Sequence, residues 1–150
     1  MSIQIGQAAP DFSANNQNGK ALTLGDFKGK KLVLYFYPKD DTPGCTAEAC
    51  SLRDHYQTFL GQGYAILGVS PDNEAKHQKF IAKYELPFDL LADTDHAVAE
   101  AYGVWVEKSM YGRQYMGIAR TTFVIDENGI MADIIQKVNT KEHGPQLLGS

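Results

Sequence analysis

Apolar residues along this chain fall into runs of two kinds. Residues 31–38 (KLVLYFYP) and 64–70 (YAILGVS) are almost unbroken apolar, β-branched and aromatic stretches, the pattern of strands buried on both faces. From residue 45 to about residue 60 the apolar positions recur at helical spacing, with Ala47, Ala49, Leu52, Tyr56 and Phe59 expected to point inward. Further helices are expected over about 73–84 and 96–102, with a short strand near 88–91 between them. TTFVID (121–126) and IMADIIQKV (130–138) read as two strands around Glu-Asn-Gly, and Asn128-Gly129 predicts a type I′ hairpin turn. Between Lys141 and Leu148 there is room for one short helix.

Strands joined by helices, followed by a hairpin, predict an α/β fold with a mixed central sheet and helices on both faces. The order β-α-β, then α, then β-β is the thioredoxin-like layout, here with an N-terminal β extension. No repeat, low-complexity tract or linker interrupts it, so residues 1–150 are expected to form a single domain.

Composition narrows the function. Hydrophobic residues make up 43% and charged residues 21%, as in an ordinary globular protein. Lys and Arg number 14 against 18 Asp and Glu, and no basic stripe accumulates around Arg53, Arg113 or Arg120. A nucleic-acid partner is therefore not expected. The first twenty residues lack the basic and apolar regions of a secretory signal, and no run reaches the ~18 apolar residues that span a bilayer. The expected location is the cytoplasm, where thiols are kept reduced and a permanent disulfide is not expected. The two cysteines, Cys45 and Cys50, then call for a chemical explanation.

Both lie in TPGCTAEAC, directly after the first buried strand. Pro43 suits the first position of a helix, which puts Thr42 at the N-cap, Gly44 at the second position and Cys45 at the third. There the sulfur meets unpaired backbone N–H groups and the positive end of the helix dipole, both of which favour thiolate. The Thr42 hydroxyl can cap the helix or turn toward the sulfur and a substrate, and Gly44 lets a small ligand approach the backbone. On an intact helix Cys50 points about 140° away from Cys45 with a rise of about 7.5 Å. Their Cα atoms are then roughly 8–9 Å apart, beyond the ~7 Å reach of a disulfide. A bond between them requires the first helical segment to unwind. A lone Cys45 would otherwise read as a small hydrophobe, and Cys50 as a buried residue on the helix's inner face.

Pro38-x-x-x-Thr42-x-x-Cys45 resembles the active-site signature of the peroxiredoxins, and Cys45-Thr-Ala-Glu48 resembles its continuation. The second cysteine five positions on, in YFYPKDDTPGCTAEACSLRD, is similar to the Q-type, or bacterioferritin-comigratory-protein, subfamily. So is YGVWVEKSMYGRQYMGIARTTFVID (102–126), which holds Arg120 at the family's arginine position. The resemblance runs over essentially the whole chain. It implies a thiol peroxidase that reduces hydrogen peroxide and organic hydroperoxides, with Cys45 peroxidatic, Cys50 resolving and an intramolecular disulfide recycled by thioredoxin. Thr42 and Arg120 would contact the peroxide oxygens, Pro38 would shape the pocket, and Glu48 would hold Arg120. Metal, haem and flavin are not expected, and the subfamily leans toward monomers. Without the resemblance, Arg120 at the start of a strand reads as a surface ion-pair residue.

Rival functions find less support. A zinc site has only two cysteines at an unsuitable spacing, and His55, His77, His96 and His143 form no ligand pair. A dithiol oxidoreductase or copper-binding protein on the same fold favours cysteines two or three residues apart. A non-enzymatic peroxide sensor would use the same Cys45 chemistry and pass the oxidation to a partner. Gly25-x-x-x-Gly29-Lys-Lys is one residue short of a phosphate loop and lacks its Ser/Thr. Tyr35-Phe36-Tyr37 reads as core.

Overall fold

In the computed structural model, which describes residues 3–149, a short antiparallel hairpin of β1 (Ser13–Asn15) and β2 (Ala21–Thr23) precedes the main sheet. Strand β3 (Lys31–Phe36) is the centre of that sheet. Its apolar run is explained by burial on both faces. Leu32, Leu34 and Phe36 enter one hydrophobic core, while Val33 and Tyr35, with Tyr37 just beyond the strand, enter a second on the opposite face.

Strands β4 (Tyr64–Ser70) and β5 (Asp89–Ala92) extend the sheet in parallel on one side of β3. On the other side β8 (Thr121–Ile125) and β9 (Met131–Ile135) pair antiparallel. The order β5-β4-β3-β8-β9 is a mixed, thioredoxin-like sheet with helices on both faces. Helices α1 (Pro43–Asp54), α2 (Tyr56–Gly61) and α3 (Glu74–Tyr84) cover one face through Cys45, Ala49, Leu52, Phe59 and Phe80. Helix α4 (Ala97–Ala101) covers the other through Val98 and Ala99. The short α5 (His143–Leu148) packs on α1, with Leu147 and Leu148 against the same core. Asn73 caps α3 by accepting the Lys76 N–H at 2.9 Å.

Three expectations change. The helix foreseen from 45 to about 60 breaks at His55, whose Nδ1 takes the Ser51 carbonyl at 2.9 Å. The backbone N–H of His55 turns back to the Arg53 carbonyl instead, and α2 restarts at Tyr56. Ala47 is only half-buried, since it faces the cleft beside Cys50 and not the core. The 128–129 turn is not type I′, because Gly129 (φ +80°) has positive φ and Asn128 does not. Asp126 decides this: its Oδ1 accepts the N–H groups of Asn128 and Ile130, both at 2.9 Å, which builds an Asx turn closed by Gly129 N–H to Asp126 O at 3.0 Å.

A second hairpin, β6 (Trp105–Met110) with β7 (Arg113–Ile118), stands apart from the main sheet. It turns at Tyr111 (φ +53°) and Gly112 (φ +75°), and its tip exposes Met110, Tyr111, Tyr115 and Met116. No helix among the described residues is long and apolar enough to cross a membrane.

Candidate active site

The end of β3 delivers the chain through half-buried Pro38 and the loop 39–42 to the start of α1. Thr42 is the N-cap in extended conformation, Pro43 opens the helix, and Cys45 lies at its third position, as the local sequence predicts. Thr42 Oγ1 does not cap the helix. It donates its proton to the Lys39 carbonyl at 2.8 Å, tightening the loop and leaving its lone pairs free to accept.

Cys45 is 1% exposed and belongs to the core beneath α1. Arg120, immediately before β8, reaches it from 75 residues away with Nη2 3.3 Å from Sγ. The other arm of the same guanidinium, Nη1, donates to Glu48 Oε1 at 2.6 Å. Cys45 and Glu48 are three residues apart on one helix and so share a face, which lets one planar cation bridge both. Gly44 serves this arrangement: a Cβ there would come within 3.3 Å of Arg120 Nη2. The space expected to admit a ligand to the backbone is thus occupied by the guanidinium.

The electrostatics follow from burial. Burial works against the charge on Arg120, but Glu48 and Cys45 outweigh it and hold the guanidinium firmly protonated. Glu48 has no exposed surface, and burial pushes its carboxyl up to about 7 against the opposing pull of Arg120. Its second oxygen, Oε2, is buried without a hydrogen bond. Facing Oε2 at 3.5 Å is Nε2 of His143 on α5, too far for a good hydrogen bond. The sequence gives His143 no role beyond excluding it as a zinc ligand and does not point to its neighbour Thr122, because nothing local ties residue 143 to residue 48. Lys108 on β6 also belongs to this neighbourhood. Its ammonium is held below the usual lysine value by burial first and by Arg120 second, with Cys45 opposing.

Cys50 is half-exposed, and both cysteines are free thiols on one continuous helix. A cleft of about 370 Å³ opens beside Cys50, lined by Ala47, Ser51, Asp54, His55, Lys141 and Glu142. Helix geometry keeps the two Cα atoms roughly 8–9 Å apart in this form, as the spacing implies.

On the other side of the loop, Asp40, Asp72 and His77 cluster closely enough to suggest a metal site. Both Asp40 oxygens, both His77 ring nitrogens and Asp72 Oδ2 are already engaged. Tyr37 donates to Asp40 Oδ1 at 2.5 Å, His77 Nδ1 lies 2.6 Å from Asp40 Oδ2, and His77 Nε2 lies 2.8 Å from the Leu91 carbonyl. Asp72 Oδ2 accepts from Asp40 N–H at 2.7 Å and from Ser70 Oγ at 2.8 Å. This is a clamp on the loop.

Residues 5–134 match the AhpC/TSA family model. The chain belongs to that family. It is 49% identical over 148 residues to the peroxiredoxin Bcp of Bacillus subtilis, covering 99% of this chain and 94% of that one. The Bcp of Escherichia coli K12 is 43% identical over 141 residues, covering 94% and 90%. Among solved structures, a Cys-to-Ser variant of Xylella fastidiosa PrxQ superposes with a TM-score of 0.93 at 31% identity, covering 99% and 95%. The bacterioferritin comigratory protein of Xanthomonas campestris, described for its alkyl peroxide reduction, gives 0.89 at 36%, covering 99% and 94%. The peroxiredoxin is accordingly a thiol-dependent peroxidase, an oxidoreductase that consumes a hydroperoxide and needs a reductant.

Proposed function

We propose that Cys45 is the peroxidatic thiolate, Cys50 the resolving thiol, and thioredoxin the reductant. The observation that carries this is the Arg120 guanidinium 3.3 Å from Cys45 Sγ at a helix N-terminus. The sulfur attacks the terminal oxygen of the hydroperoxide in line with the O–O bond. That bond breaks, the departing oxygen takes a proton and leaves as water or alcohol, and Cys45 becomes a sulfenic acid. A donor already fixed beside the sulfur can bind the departing oxygen without reorganising, and Thr42, with free lone pairs, orients the incoming hydroxyl. Pro38 shapes the pocket and Glu48 holds Arg120 in place.

Cys50 then displaces water from the sulfenic acid to form the Cys45–Cys50 disulfide. Since an intact α1 forbids that bond, its first turns unwind and present the disulfide to a dithiol, which is itself oxidised as both thiols return. Hydrogen peroxide and organic hydroperoxides are the substrates, the latter supported by the activity described for the Xanthomonas relative. The protein works as a single-domain monomer in the cytoplasm, where its thiols are regenerated.

Rapid mixing with one equivalent of hydrogen peroxide, and turnover with thioredoxin, its reductase and NADPH, test this reading. Cys45→Ser is expected to consume no peroxide even once. Cys50→Ser is expected to consume about one equivalent and then stall as sulfenic or over-oxidised acid. A Cys50→Ser protein inert in its first turnover would overturn the assignment.

A further inference from the structure

Only half of the Glu48 carboxyl is used by Arg120. Oε1 takes the guanidinium, while Oε2 is buried without a hydrogen bond and faces His143 Nε2 at 3.5 Å. The imidazole is itself fully buried and its orientation is fixed on the far side. His143 Nδ1 lies 2.8 Å from Gln146 Oε1, which also accepts the Asn139 N–H at 2.9 Å, while Gln146 Nε2 donates to the Lys137 carbonyl at 3.0 Å. Those contacts settle the amide's orientation, so Nδ1 carries a proton and a neutral ring presents its Nε2 lone pair inward. Thr122 Oγ1, 2.8 Å from Nε2, can donate to that lone pair or accept from an Nε2–H.

With neither group protonated, a buried carboxylate oxygen that receives no donor would face the Nε2 lone pair. A single proton on either atom removes the conflict. We propose that Glu48 and His143 hold one proton between them in the reduced enzyme, making His143 a positioning residue that acts on Cys45 through Glu48 and Arg120. While the proton stays, Glu48 draws little on Arg120, whose charge serves the sulfur and the departing oxygen. When it leaves, Arg120 is drawn back toward an ionised Glu48. The inference rests on Cys45 being the nucleophile.

Burial favours the proton on the carboxyl. Glu48 is pushed up to about 7, whereas burial holds His143 below the usual imidazole value, with the Gln146 bond opposing and Arg120 adding to the depression. Charged or titratable groups around the pair are Arg120 before β8, Cys45 on α1, His55 at the end of α1 beside Gly144, Tyr35 on β3 and Lys108 on β6. The Tyr35 hydroxyl is buried without a partner, and burial followed by Glu48 keeps it from ionising. Loss of the shared proton therefore adds a full negative charge beside Arg120.

The test is the pH profile of the stopped-flow rate constant for hydrogen peroxide with reduced wild type and His143→Gln, over about pH 5.5–9. In wild type the rate should step down as the pair deprotonates. In His143→Gln an amide N–H can donate to Oε2 and favour the carboxylate, so the step should move at least about one unit to lower pH, with a roughly threefold to tenfold lower rate near pH 6.5. On the wild type itself, NMR titration of 13C-labelled Glu and 15N-labelled His should show the Glu48 carboxyl and His143 Nε2 moving in the same step. Superposable rate profiles, or a Glu48 carboxyl that titrates in the ordinary carboxylate range, would overturn the proposal. Because the NMR titration does not depend on which sulfur reacts, a peroxide-reactive Cys45→Ser would sink the nucleophile assignment separately.

Discussion

Two buried carboxylate–histidine clusters flank the loop that delivers Cys45, and they differ in one respect. In Asp40–Asp72–His77 both imidazole nitrogens and both Asp40 oxygens have close partners. In Glu48–His143 one carboxylate oxygen has none. A buried polar network that satisfies every member stiffens the backbone around it, while an unsatisfied one stores a free-energy penalty that a change of charge can release. The first cluster ties Asp40 on the loop to Ser70 and Asp72 after β4 and to Leu91 on β5. The second is tied through Arg120 to the Cys45 sulfur. The difference teaches where stability and where reactivity reside: perturbing one should change folding, and perturbing the other should change rate.

The largest expected effect is on the satisfied cluster. His77→Ala leaves Asp40 Oδ2 and the Leu91 carbonyl unpaired beside a new cavity, and should destabilise the fold by about 3–5 kcal/mol. Molecules that remain folded should keep a peroxide rate constant within about threefold of wild type. Urea unfolding and stopped-flow kinetics on one sample separate the two quantities. A large loss of rate without loss of stability would erase the distinction.

Next comes the response of α1 to oxidation. Formation of the Cys45–Cys50 disulfide must unwind the segment that carries Glu48, so amides 45–52 should exchange at least about a hundredfold faster, some 2.7 kcal/mol of protection. The 37–42 loop, held by its own clamp, should change far less. Amides 45–52 that stay protected in protein proven to carry the disulfide would rule out the unwinding.

A smaller effect is expected in the pH dependence of stability. A carboxyl near 4.5 in the unfolded chain and about 7 in the folded one binds its proton more tightly when folded. Its contribution is complete below about pH 4.5 and is lost as the pH rises through about 7, an upper bound of ~3 kcal/mol and about 2 after relaxation. Glu48→Gln should flatten that part of the profile, as read from urea midpoints at pH 5 and 7.5. An unchanged slope would mean that Glu48 ionises in the folded state as it does in water.

The smallest is Arg120→Lys. Lysine cannot bridge Sγ and Oε1 with one planar group, so the second-order rate constant should fall at least about tenfold, or ~1.4 kcal/mol of barrier. Stability should move little, because an ammonium can still pair with Glu48. A rate equal to wild type would return Arg120 to an ordinary ion pair.

How much of this was legible in the sequence depended on the range of the interaction. Strand β3, the start of α1 at Pro43 and the separation of Cys45 from Cys50 follow from neighbours within a turn or two, so propensity, capping and helix geometry were enough to determine them. Where a local side chain took over a backbone partner, the pattern misled: His55 breaks a helix its apolar spacing would continue, and Asp126 changes the turn at Asn128-Gly129. The β6–β7 hairpin escaped notice because its exposed strands carry no buried alternation to read. Beyond what the family resemblance implies, tertiary structure decided how the site is assembled. Arg120 is a lone arginine before a strand until folding brings it across 72 and 75 residues to Glu48 and Cys45. His143 likewise acquires its place only because α5 packs on α1. Local chemistry placed the sulfur at the start of a helix; burial, which exists only in the folded chain, supplied the low-dielectric setting and the long-range partners that surround it.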